Sequence, residues 1–444
     1  MALDPNFSKL LAHPEAQFGV PPPEVTPPML REATRAMAVT LPPPVLHEVK
    51  EVNVPGPGGS LRVRLYYPGA ARPLPLIMYY HGGGFVVCDL DSHDWLCRTL
   101  ALASGCAVAS VDYRLAPECK FPGPIEDCYA ALQHFAQGGA QYGFDSSRIA
   151  VAGDSAGGSL AIAVALLARD RKGPEIKYQA LFYPVTDAAC KGGSMDEFAT
   201  GYMLSGDVMR WFWDCYISSP ADGDHPLASP ARTAQLDGLP PASVATAEYD
   251  VLRDEGERYA DRLRDAGVSA ISRRYLGMIH GFSSMPHITE HAARSITDLA
   301  LDIRAALGES PAGVEAANVA AAQRLYGAAL TGDWATVEAL VAKDCPIVES
   351  TGLPFAGTYV GPQGMQDLFI RVGGMFTILD VKLKSLIPAG DTVVVVIDLV
   401  LDNHGTPETA KVVEVLRFKG GQVVELTPYY FDTARVSAIA AAKP

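Results

Sequence analysis

The chain has 444 residues, 48% of them apolar, and a formal net charge of −14 at pH 7. So much apolar content exceeds what one core usually holds, and two domains are expected. The negative balance argues against nucleic acid or an anionic membrane surface as partner, and no apolar run approaches the roughly 18 residues of a membrane span.

The amino terminus, Met1-Ala2-Leu3-Asp4-Pro5-Asn6, lacks a basic stretch followed by an apolar one, so a cytoplasmic chain is expected. Its eight cysteines include no C-x-x-C pair and mostly have apolar neighbours. Reduced thiols are expected rather than disulfides or a metal site.

In chain order, an apolar strand at 76–80 runs into His81-Gly82-Gly83-Gly84-Phe85. A second apolar strand at 148–152 runs into Gly153-Asp154-Ser155-Ala156-Gly157, and residues 155–167 read as the helix that follows. A strand that turns at once into a helix strains the turning residue and tolerates only small neighbours, which Gly153 and Gly157 supply. Ser155 is thereby raised above the sheet at a helix amino end, where free N–H groups favour an anion. The N–H of Ala156 and the glycine run 82–84 can supply an oxyanion hole for a tetrahedral acyl intermediate.

A serine hydroxyl needs a base, and the base needs an acid that holds its tautomer. In such a fold these follow the serine in the order acid, then histidine, each on a loop after a strand. A small-residue strand at 242–247 ends in Glu248-Tyr249-Asp250, and a strand at 270–275 leads to Gly277-Met278-Ile279-His280-Gly281-Phe282. Asp250 and His280 are the candidates. Asp254 and Glu255 lie close behind, but they open a helix over 254–266, where acids serve the helix dipole.

HGGGF at 81, DYRLAPE at 112, GDSAGG at 153, EYDVLRDEG at 248 and HGF at 280 together resemble the bacterial hormone-sensitive-lipase-like family of α/β-hydrolases. The resemblance covers residues 1–308. It implies a mostly parallel sheet with helices on both faces and hydrolysis of small carboxylic esters. Ser155 would be the nucleophile, His280 the base and then acid, Asp250 the orienter, and Gly83, Gly84 and Ala156 the oxyanion donors. It also implies a helical cap, here from about 1–50 and 188–235. Phe85, Trp211, Phe212 and Phe282 are expected around the substrate, because acyl sites are mostly apolar. Trp213 and Tyr216, on the same aromatic helix, read equally well as core. Two positions depart from the pattern: Cys88, where glycine is usual, and Ser159, where asparagine is frequent.

Residues 309–313 have linker composition. Beyond them, helices at 314–331 and 333–341 precede β-branched runs at 377–387, 392–401, 411–418 and 422–430, separated by turns at 389–391, 403–405 and 419–421. Helices followed by an antiparallel meander make an α+β unit. With Gly332-Asp333-Trp334, Gly357-Thr358-Tyr359-Val360-Gly361 and Pro428-Tyr429-Tyr430-Phe431-Asp432, residues 314–444 resemble the SnoaL-like branch of the NTF2-like superfamily. That resemblance implies a cone with a cavity and pairing of two copies through an open sheet face. Glu349 and Asp398 are the carboxylates that such a cone could hold. The expectation is a serine carboxylesterase for short- to medium-chain acyl esters, without metal or cofactor, whose second domain dimerises the chain or assists substrate access. The rival readings are a ligand-binding protein on a hydrolase scaffold, and an isomerase or cyclase seated in the cone.

Overall fold

Every residue of β3 (Leu74–Tyr80), β4 (Ala107–Val111) and β6 (Tyr178–Phe182) is buried, as in strands covered by helices on both faces. The computed structural model describes residues 2–13, 19–36, 41–70, 72–307, 311–389, 391–403, 405–430 and 432–441. It divides into two compact units, Met1–Gly308 and Glu309–Pro444. Positions 308–310 of the linker region, Gly390 and His404 in two expected turns, and Phe431 lie outside the described residues.

The first unit adds β1 (Glu48–Gly56), β2 (Gly59–Tyr67), β5 (Phe144–Asp154), β7 (Ala242–Tyr249) and β8 (Ala270–Ile279) to make an eight-stranded sheet, ordered β1-β2-β4-β3-β5-β6-β7-β8. The strands from β4 to β8 pair in parallel, while β1 and β2 are antiparallel. Side chains alternate between the faces. Leu76, Met78 and Tyr80 of β3 join a core with helices Gly123–Gly138, Ala156–Asp170 and Arg253–Asp265, whereas Ile77 and Tyr79 join helices Asp94–Ser104 and His291–Ala306 on the other face. Because β5, β7 and β8 are parallel, the loops after them emerge at one edge of the sheet. In such sheets that edge is where ligands bind.

The second unit has its own sheet of β9 (Pro346–Glu349), β10 (Gly357–Val360), β11 (Ile378–Ala389), β12 (Thr392–Asn403), β13 (Thr406–Lys419) and β14 (Gln422–Tyr430), ordered β10-β9-β14-β13-β12-β11. Val393, Val395, Ile397 and Leu401 of β12 face the unit's core. Register shifts in β11 and between Arg417 and Phe418 add the twist that curls such a sheet. Helices Pro311–Thr331, Trp334–Leu340 and Gly361–Met375 belong to this unit. Among the described residues no helix is long and apolar enough to cross a membrane, and none of the eight cysteines is in a disulfide.

Candidate active site

The turn from β5 into helix Ala156–Asp170 is made by Ser155 alone, with φ 54° and ψ −119°. A left-handed non-glycine residue costs about 1–3 kcal/mol, and the surroundings hold it there. Ser155 donates its N–H to the Phe182 carbonyl at 2.8 Å, and its own carbonyl accepts from Val185 at 3.1 Å. The flanking glycines are required by space. A Cβ on Gly157 would collide with the Tyr80 carbonyl, and one on Gly153 with the Gly157 carbonyl.

His280 Nε2 lies 3.0 Å from Ser155 Oγ, and His280 Nδ1 lies 2.8 Å from Asp250 Oδ2. A carboxylate at Nδ1 can only accept, so Nδ1 carries the proton and Nε2 is left to accept from the serine. Asp250 is 1% exposed, and its second oxygen accepts from the N–H of Leu252 at 2.9 Å. The ring of Tyr183 stands edge-on to His280 at 4.9 Å. The rival acids are occupied elsewhere: Asp254 accepts from the N–H of Ser194 and pairs with Arg253, and Glu255 accepts from the N–H of Thr186.

Gly83 and Gly84 take φ 109° and 59°. Among the described residues, neither of their N–H groups meets an acceptor. The N–H of Ala156 heads its helix, where it has no intrahelical partner. A Cβ on Gly84 would strike the Phe212 ring, so this backbone and that ring already touch.

One anchor of the glycine loop went unread in the sequence. Asp154, the residue before the serine, accepts from the Gly82 N–H at 2.9 Å and the Tyr79 hydroxyl at 2.6 Å, and faces His93 Nε2 at 3.2 Å. Burial works against its charge, yet His93 and Tyr79 outweigh burial and hold its carboxyl below the ordinary range. Burial likewise opposes the His93 charge, and Asp154 raises His93 above the ordinary histidine value. His81 differs: burial and the neighbouring His93 push it down to about 4. The only sequence signal for the Asp154–His93 pair is its place in GDSAGG.

A cavity of about 190 Å³ opens over the serine, walled by Val87, Met203, Leu204, Met209, Phe212 and Met285, with Thr34, Cys88 and Tyr183 also on its surface. Of the expected cap, residues 1, 14–18 and 37–40 lie outside the described residues; among those described, Thr34 of 1–50 and Met203, Leu204, Met209 and Phe212 of 188–235 reach it. Phe212 lines this cavity, and the other three aromatics expected around the substrate do not. Phe85 stacks on Tyr216 at 3.8 Å, Trp211 leans on the outer side of Phe212, and Phe282 packs among Tyr183 and Tyr275. Cys88 has φ 69°, a conformation glycine takes freely, and burial pushes its thiol up to about 12.

In the second unit Glu349 lines a separate cavity. Asp398 does not join it. It projects from the face of β12 opposite Ile397 and Leu399, in register with Lys382 and Lys411 on the flanking strands. Among the described residues no group of three or more metal-ligating side chains is gathered.

A parallel sheet whose serine elbow, histidine and aspartate meet at its carboxyl edge defines an α/β hydrolase. Comparison with known proteins agrees: residues 77–284 match the alpha/beta hydrolase fold, and residues 322–426 match the SnoaL-like domain. The chain is 40% identical to the carboxylic ester hydrolase LipN of Mycobacterium tuberculosis over 62% of its own length and 76% of that protein. It is 41% identical to the carboxylesterase NlhH of the same organism, over 59% of its own length and 84% of that protein. The hyperthermophilic esterase of Pyrobaculum calidifontis superposes with a TM-score of 0.65 at 42% identity, covering 69% of this chain and 99% of that one. The chain belongs to the hormone-sensitive-lipase-like family of α/β-hydrolases and carries a SnoaL-like domain behind the hydrolase.

Proposed function

We propose that the protein is a carboxylesterase that works through an acyl-enzyme on Ser155. The observation that carries this reading is the hydrogen-bonded line from Ser155 Oγ through His280 to Asp250, at 3.0 and 2.8 Å. Ser155 Oγ attacks the ester carbonyl while its proton passes to His280 Nε2. Asp250 keeps the imidazolium oriented and compensates its charge. The oxyanion that forms is met by the N–H groups of Gly83, Gly84 and Ala156. Collapse breaks the bond to the alcohol oxygen, which leaves with the proton from His280. Water then repeats the sequence on the acyl-serine and frees the acid.

The cavity bears on the substrate. Among the described residues no lysine or arginine lines it, and apart from Thr34, Cys88, Ser284 and the polar groups beside Ser155 its walls are thioether, aliphatic and aromatic. That chemistry suits neutral esters with short to medium acyl chains. The test is a graded series of p-nitrophenyl esters with mass spectrometry of the quenched enzyme. The native chain should carry one acyl group on the peptide containing Ser155, and Ser155→Ala should carry none and lose about 10⁴-fold or more in rate. Turnover by Ser155→Ala at near-native rate would sink the proposal.

For the second unit we propose assembly of two copies through the sheet face opposite its cavity. In-register rows Ile387, Val394, Val415, Thr427 and then Ser385, Val396, Val413, Tyr429 make a largely apolar patch on that face, beside the charged row of Lys382, Asp398 and Lys411, and Ile387 and Tyr429 are 51% and 57% exposed. Light scattering of the full chain should give a dimer that Val413→Lys converts to a monomer. A native monomer would end this reading.

A further inference from the structure

The second unit encloses a cavity of about 340 Å³ between its sheet and the helices Pro311–Thr331 and Gly361–Met375. Strand register explains what reaches into it. Ile347 of β9 pairs with Leu426 of β14, and Pro428 of β14 pairs with Glu414 of β13. Two residues beyond Ile347 on the same face is Glu349, so Glu349, Pro428 and Glu414 form one row across three strands. Two strand spacings, roughly 10 Å, separate the two glutamate backbones, and both side chains line the cavity.

Among the described residues the other polar groups on its wall are the hydroxyls of Tyr326 and Tyr430, and no lysine, arginine or histidine lines it. Tyr326 donates to Glu414. Glu349 is 5% exposed, and among the described residues its Oε2 has no hydrogen-bond partner. An apolar residue in its place would fold with less cost, because a buried polar atom without a partner is destabilising. Its position at the cavity wall gives the carboxyl a use that the folded chain alone does not.

We infer that this cavity binds a primary amine on a small apolar body, the ammonium bridging Glu349 and Glu414. An ammonium carries three donors and no acceptor, which matches two carboxylates that lack a cation. Tyr430 adds an aromatic ring beside that position, and the apolar wall takes the body of the ligand. A neutral carbonyl ligand would accept from a protonated Glu349 and leave Glu414 with the Tyr326 hydroxyl alone.

Proton bookkeeping distinguishes the two. Burial, and then Glu414, push the Glu349 carboxyl up to about 8, and burial raises Glu414 despite the Tyr326 hydroxyl. At pH 7 the empty site therefore holds Glu349 mostly protonated. Binding an ammonium ionises it and releases about one proton per ligand, whereas a neutral ligand releases none.

The experiment is calorimetry on the full chain at pH 7 in two buffers of different ionisation enthalpy. The probes are benzylamine, 2-phenylethylamine and tryptamine, each against its neutral isostere, ethylbenzene, propylbenzene and 3-propylindole. At least one amine should bind about tenfold or more tighter than its isostere and release about one proton. Glu349→Gln should weaken that amine about tenfold and abolish the proton release, while leaving hydrolysis of p-nitrophenyl butyrate unchanged. Glu414→Gln serves the same purpose if the first variant does not fold. Equal affinity for amine and isostere, undiminished amine binding by the variants, or no binding of any of the three amines at millimolar concentration would each overturn the inference.

Discussion

The hydrolase site and the cavity of the second unit both bring carboxylates into the interior, but they treat the charge in opposite ways. Around Ser155 every carboxylate is answered. Asp250 has His280 and the Leu252 N–H, and Asp154 has His93, Tyr79 and the Gly82 N–H. On the cavity wall of the second unit Glu414 has the Tyr326 hydroxyl, and among the described residues Glu349 Oε2 has no partner. In the first arrangement the partners of Asp154 outweigh burial and hold its carboxyl below the ordinary range, while in the second burial raises both glutamates and leaves an acceptor open to something that enters. A triad must be complete before its substrate arrives, and a binding cavity must not be.

The largest effect that could break this contrast lies at Asp250. Asp250→Asn should retain the hydrogen bond to the ring, but it stabilises the tautomer in which Nε2 carries the proton and cannot accept one from Ser155. A fall of about 10⁴-fold in kcat is expected, with little change in KM, measured on p-nitrophenyl butyrate. Asp154→Asn comes next. Its amide cannot compensate His93, and breaking a buried charged pair costs about 3 kcal/mol, read as a lower unfolding temperature of the first unit. The Gly82 N–H keeps only a neutral amide oxygen in place of the carboxylate, a weaker acceptor on a side chain no longer tied to His93, so kcat should fall about 10- to 100-fold through misplacement of Gly83 and Gly84. Full activity in Asp154→Asn would mean that the glycine loop holds its shape without this anchor.

What was legible in the sequence follows a physical divide. Ser155 and Asp250 follow the small or apolar runs at 148–152 and 242–247, His280 follows the strand at 270–275, and a parallel sheet delivers such ends to one edge. The glycines could be read because a backbone approach or a left-handed turn admits few other residues. The roles of Phe85, Trp211 and Phe282 could not, because an aromatic ring buries itself equally well in a core or in a pocket. Only the packing of Phe85 on Tyr216 and of Phe282 on Tyr183 and Tyr275 decides it. Asp154 was hidden for another reason: its partners Tyr79, Gly82 and His93 are far away in sequence and carry no spacing. In the second unit the β-branched runs gave the four long strands, while helix Gly361–Met375 was missed behind glycines at 361, 364, 373 and 374. Asp398 shows how a strand hides its face. One residue of offset from Ile397 or Leu399 turns it away from the cavity.

The smallest effect expected on hydrolysis is also the one that separates the two treatments of charge most directly. Glu349 has a carboxyl raised from an ordinary 4.5 to about 8 in the folded chain. Between those values the folded state holds a proton that the unfolded state has lost. Stability from this group is therefore fully present below about pH 4.5 and falls as pH rises from there through about 8, by roughly 5 kcal/mol at most. Glu414, raised in the same direction, adds to the slope. Asp154 runs the other way: its lowered carboxyl stabilises the first unit above the ordinary aspartate range and loses that contribution only as pH falls through its folded value. Scanning calorimetry of the full chain from pH 5 to 9 should show the transition of the second unit moving down with rising pH. In Glu349→Gln that transition should move appreciably less, because the remaining slope belongs to Glu414. A native transition of the second unit that holds its temperature across this range would mean that Glu349 ionises freely. The cavity would then be wet and charged, and its contrast with the hydrolase site would disappear.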